Sequence, residues 1–137
     1  RQISRVAKPV ELLGANVIWL AVGVSTIFSY LFVSFWYSPS VFGEKWADGV
    51  GLKLGEEESF SLYALVSQFF ATLLLAWIVS LIVGNGSLAF IVLISLTIFF
   101  FLLAANFIAE HSIYASFVEA TFVLVISLIM TVCNLLL

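Results

Sequence analysis

Glu119 is the residue whose position first suggests chemistry. No formally charged side chain occurs from Ser59 to Ala109, and none from Ala120 to Leu137, so this carboxylate stands inside an apolar stretch. An ionisable group at membrane depth costs free energy and carries a functional hypothesis by default. It lies four residues past Ala115, where a last span is expected to begin. If that helix starts near Ala109, then His111, Ala115 and Glu119 stack on one face at i, i+4 and i+8. Glu110 falls one turn after Asn106, at the close of the preceding span. Trp36 and Tyr37 end the first span on the same side. Two readings stay open for this group. In one, Glu119, His111, Glu110, Trp36 and Tyr37 line a ligand or proton pocket in which Glu119 and His111 exchange protons. In the other, Glu119 sits shallow and pairs with His111 or Lys45 to hold helices together.

Other chemistry has little to stand on. Di-metal carboxylate bundles use Glu-x-x-His on two helices, and this chain has a single His. His111 near a helix end has no second axial partner for a haem. No Ser/His/Asp set, phosphate loop or Gly-rich dinucleotide fingerprint is present. The expectation is therefore a chain that is not an enzyme and holds no metal and no cofactor. Cys133 is the sole cysteine, so no internal disulfide can form. A net charge of −3 and a pI near 4.9 give no basic footprint for nucleic acid.

The elements that must position these residues follow from hydropathy. The 137 residues are 64% hydrophobic and 9% charged, with a mean hydropathy of +1.23, whereas soluble domains carry about 25% charged residues. As one helix, the uncharged run of 51 residues from Ser59 to Ala109 would extend ~76 Å, far beyond a hydrocarbon core of roughly 30 Å. It must turn back, and Gly84-Asn85-Gly86-Ser87 offers the break, with glycines and Asn expected at positive φ. The spans predicted are 16–37, 61–83, 88–108 and 115–137, in one membrane domain covering 1–137. Helices satisfy every backbone donor and acceptor where water is absent. A β-barrel is excluded by the lack of alternating segments. The fold class is thus all-α, an integral membrane four-helix bundle with a short interfacial helix in its first hairpin loop.

That loop, the polar hairpin 38–60, carries Glu44, Asp48, Glu56, Glu57 and Glu58 against Lys45 and Lys53. Ser38 can cap a helix with Pro39 in first position, placing Phe42 and Trp46 on one face and Glu44, Lys45 and Asp48 toward water, with Gly49 and Gly51 as the stop. Trp36, Tyr37, Trp46, Tyr63 and Tyr114 form an aromatic belt on the hairpin side, and Trp19 and Trp77 lie toward the other. The basic start, Arg1, Arg5 and Lys8, imitates a signal peptide, but the apolar run from Asn16 to Tyr37 is too long for one and ends in Trp-Tyr-Ser-Pro. It reads as a retained span. Three of the five Lys/Arg precede that span, which favours both termini in the cytoplasm and the acidic hairpin outside an inner membrane. So slight a charge bias would also permit antiparallel dimers. Ala21, Ser25 and Ser29 make a flat stripe for helix packing on the first span, and Gln68, Asn106 and Asn134 read as interhelical hydrogen-bonding residues.

The run Trp36-Tyr37-Ser38-Pro39, followed by Phe42-Gly43 and Trp46, resembles the signature of the bacterial family catalogued as domain of unknown function seventeen sixty-one. The similarity begins at Asn16-Val17-Ile18-Trp19-Leu20 and extends to Glu110-His111 before the last span and Glu119-Ala120 within it. It implies four short-looped membrane helices and brings no assigned activity. Two functional expectations remain. The first is an accessory or assembly subunit that binds membrane lipids and other membrane subunits or itself. The second is a small proton-coupled transporter or ligand-binding protein using Glu119 and His111.

Overall fold

The structure, a computed structural model, describes residues 12–38, 41–51 and 62–137. Among these it is all helical: α1 Trp19–Trp36, α2 Gly43–Val50, α3 Leu62–Asn85, α4 Ala89–Ile108 and α5 Ile113–Leu136. The four longer helices have 18, 24, 20 and 24 residues and are apolar enough to cross a membrane. The chain is thus a multi-pass membrane protein built as a four-helix bundle. Arg1, Arg5, Lys8, Pro39, Lys53 and Glu56 to Glu58 lie outside the described residues.

The helix ends show which local signals governed. α1 starts three residues later than expected, because Asn16 takes a left-handed φ of 58° and Ile18 is extended. α5 starts two residues earlier than Ala115, because Ser112 is extended and its Oγ accepts the Ala115 N–H at 3.0 Å, an N-cap that fixes the first turn. Of the expected Ser38-Pro39 start of the short helix, Pro39 lies outside the described residues, and the helix observed has Phe42 as its N-cap. Val41 and Gly43 both donate their N–H groups to the Ser38 carbonyl, closing a turn, and α2 starts only at Gly43. Gly51, at φ 86°, ends α2 as a left-handed cap, whereas Gly49 lies within the helix instead of stopping it. The Gly84 to Ser87 break is where predicted, but none of its residues has positive φ. Gly84 serves there as a contact point: a Cβ on it would strike the Asn16 carbonyl and lie 2.9 Å from Asn16 Cβ.

α5 is the central element and touches each of the other four helices, while α4 lies along α5 and barely meets α3. Val22, Ala76, Val79, Phe122, Ile126 and Met130 form the core between α1, α3 and α5. Ala21, Ser25 and Ser29 are fully buried, so the small-residue stripe does face the interior, where it lets neighbouring backbones approach. Several hydroxyls are satisfied on their own helix: Ser25 Oγ donates to Ala21 O, Thr26 Oγ1 to Val22 O and Thr72 Oγ1 to Gln68 O, each at 2.6 Å. Such back-bonding suits a solvent without water. Large apolar side chains such as Leu20, Phe28, Leu31, Phe101 and Ile108 point outward, the arrangement expected of a lipid-facing surface.

Candidate functional site: a cleft beneath the short helix

α2 is held against the start of α5 by three kinds of contact. Trp46 and Ala47 pack on Ala115 and Val118. The Ser112 N–H donates to the Gly49 carbonyl at 3.0 Å. The absence of a side chain at Gly49 makes this approach possible, since a Cβ there would strike Ser112 Oγ and lie 2.6 Å from Ala115 Cβ. The amphipathic pattern of α2 carries through, with Trp46 and Ala47 buried and Glu44, Lys45 and Asp48 exposed.

Trp46 then reaches Glu119. Its Nε1–H donates to Glu119 Oε2 at 2.9 Å, a charge-assisted hydrogen bond of the stronger kind. Below this bond lies a cleft of about 220 Å³, walled by Val33 and Tyr37 at the end of α1, Trp46, Leu65 and Gln68 of α3, and Glu119 and Phe122 of α5. Ring packing shapes it: Tyr37 and Trp46 are 4.7 Å apart between centroids, and Tyr37 and Phe122 are 6.0 Å apart. Tyr30 supports the α3 wall by donating its hydroxyl to Leu65 O at 3.1 Å. Tyr37, one residue past α1, has its phenol pushed above its ordinary range, first by burial and then by the Glu119 carboxylate, so it meets the cleft as a neutral O–H.

The five site residues expected from sequence do not form one group. Glu119 and Tyr37 share the cleft. Trp36 turns to the other side, where its Nε1–H donates to Val118 O at 3.0 Å and its ring lies 4.6 Å from Phe42, in a separate groove with Tyr114 and Phe117. His111 and Glu110 stay in the loop between α4 and α5, because α5 begins at Ile113 and not near Ala109. His111 therefore does not stack beneath Glu119. Its Nδ1 is 2.6 Å from Asn106 Oδ1, and its backbone N–H donates to Asn106 O at 2.9 Å. Asn106 Nδ2 donates to Leu102 O, so Oδ1 faces the ring and the contact is a hydrogen bond only with the imidazole proton on Nδ1. Glu110 is exposed, with a left-handed φ of 63°, and makes the turn. Lys45 places its ammonium 5.3 Å from the Tyr114 ring centroid. The helix-holding partner of Glu119 is therefore Trp46, in place of His111 or Lys45.

Trp46 and Gln68 are the site residues that sequence reasoning missed, since the first reads as a belt residue and the second as interhelical glue. The usable signal for Trp46 was its place on the apolar face of a short polar helix, where an indole N–H directed at the bundle needs an acceptor. No family model, no curated protein and no solved structure matches this chain. The likeness to domain of unknown function seventeen sixty-one accordingly remains a resemblance.

Proposed function

We propose that this is a non-enzymatic, ligand-binding membrane protein whose site is the cleft between α1, α2, α3 and α5, with Glu119 as its recognition group. One observation carries the reading. Of the residues in the four spans, only Glu119 is formally charged, and among the described residues it lines an open cleft with Tyr37, Trp46 and Gln68 and faces no neutralising cation. A carboxylate at a span position without a cation beside it costs free energy, and such a residue carries a functional hypothesis by default. A small cavity of mixed apolar walls and a few converging polar groups is the usual form of a small-molecule site. In this reading the basic tail, with three of the five Lys/Arg, holds both termini in the cytoplasm of a bacterial inner membrane. The cleft then opens near the outer face.

A small membrane-soluble carbodiimide, diisopropylcarbodiimide, tests the cleft directly, because it modifies carboxyl groups that it can reach from the lipid phase. With the full chain in lipid nanodiscs, peptide mass spectrometry is expected to find an adduct on Glu119 that disappears in Glu119→Gln. Modification confined to the exposed Glu44 and Glu110 would remove the proposal's basis.

An accessory-subunit role is the second reading, and the exposure of α4 favours it. Leu93, Leu96, Phe100 and Phe101 all project outward from a helix that is anchored chiefly through α5. Purification in mild detergent should then yield a larger complex, and a chain that runs alone as a monomer at native abundance would count against it.

A further inference from the structure

We infer that the cleft takes an organic monocation, an alkylated or benzylated ammonium, with its charge against Glu119 and its apolar body against Trp46, Tyr37 and Phe122. The inference rests on the reading of this cleft as a ligand site and supplies its ligand class.

Charge sign comes first. Among the described residues lining the cleft, Glu119 is the only formally charged one. An anion would meet repulsion, and a neutral ligand would desolvate the carboxylate without compensating it. A cation does the opposite.

The rings then narrow the kind of cation. Tyr37 packs against both Trp46, at 4.7 Å, and Phe122, at 6.0 Å. Indole and phenol faces attract cations through their quadrupoles, most strongly where water is scarce. A hard divalent ion needs six or more oxygen ligands, whereas Glu119, Tyr37 and Gln68 are the polar side chains that reach this cleft beside the Trp46 indole. A weakly hydrated onium needs no such shell and gains from both the carboxylate and the rings. At about 220 Å³ the cleft is smaller than the roughly 300 Å³ lower bound for drug-sized ligands, which sets the scale at a single ring or a few short alkyl arms.

The test uses the full chain in zwitterionic-lipid nanodiscs and follows the Trp46 indole N–H by NMR, with Trp46→Phe identifying the signal. Benzyltrimethylammonium is compared with its uncharged isostere, 2,2-dimethylpropylbenzene, and with the anion phenylacetate. The expected result is a saturable shift of the Trp46 signal by the cation, with affinity about tenfold or more above that for the isostere. No shift is expected from the anion. Glu119→Gln is expected to remove the cation's advantage, and Glu119→Asp to keep part of it. Equal affinity for cation and isostere in the unaltered protein, which needs no variant to fold, overturns the inference. Absence of a saturable shift overturns it as well. Carbodiimide modification of Glu119 without cation preference leaves the cleft reading standing and the ligand class wrong; loss of both results removes both.

Discussion

The two ends of the bundle close their helices with different chemistry. At the α2 end, a carboxylate and an indole meet across 73 residues of chain, Trp46 to Glu119, beside a cleft. At the opposite end, the segment before α1 is clasped to the last turns of α3 by neutral groups. Asn16 Nδ2 donates to Asn85 Oδ1 at 2.7 Å, Asn85 Nδ2 to Ala15 O at 2.5 Å, and Trp77 Nε1 to Leu13 O at 2.6 Å. The Ile18 N–H donates to Ser80 Oγ at 3.1 Å, and Trp19 and Trp77 meet edge to face at 5.4 Å. Amide and hydroxyl bonds of this kind satisfy backbone groups that lipid cannot. They carry no net charge, whereas the α2 end presents the Glu119 carboxylate on which the proposed site rests. In sequence, Gly84 to Ser87 reads only as a chain break, and the clasp that Asn85 makes with Asn16 and Ala15 depends on tertiary contact.

Substitutions can separate the two ends. The largest effects are expected from the two glycines at close approaches. Gly49→Val would drive a side chain into Ser112 and Ala115 and loosen α2, at a cost of about 1–3 kcal/mol, measured by equilibrium unfolding in detergent. Cation binding should be lost with it. Gly84→Val would clash with Asn16 at a similar cost, yet carbodiimide modification of Glu119 should persist. If both glycine variants lost the cleft equally, the ends would not be separable.

A smaller effect is expected from Asn85→Ala, which removes the bonds to Asn16, Ala15 and Leu81. Because these groups are partly wet, a loss of about 1 kcal/mol is the expected scale, again with Glu119 unchanged in reactivity. The smallest effect is a gain. Glu110 holds a left-handed φ of 63° that Asn tolerates better, so Glu110→Asn should stabilise the fold by about 0.5 kcal/mol. It should leave cation affinity as it was, since Glu110 does not line the cleft.

The spans were legible because charge-free runs and membrane thickness set them, and the observed helices keep all four with ends shifted by at most three residues. Glu119 was legible for the same reason, as the exception within such a run. What surrounds it was not. His111 depended on where α5 begins, and one Ser112 hydroxyl decided that by capping the helix two residues beyond it. Trp46 depended on tertiary contact: the glycine that admits α2 to α5 reads in sequence only as a helix stop. Tyr37 and Trp36 are adjacent in sequence, and only packing shows that Tyr37 lines the cleft while Trp36 lines the neighbouring groove with Phe42, Tyr114 and Phe117.

A double-mutant cycle on Trp46→Phe and Glu119→Leu, read as unfolding free energy in detergent, tests most directly that α2 closes the site through the indole–carboxylate bond at 2.9 Å. A bond to a charged acceptor predicts a coupling of about 1.5–3 kcal/mol. Additive losses, with coupling near zero, would contradict it.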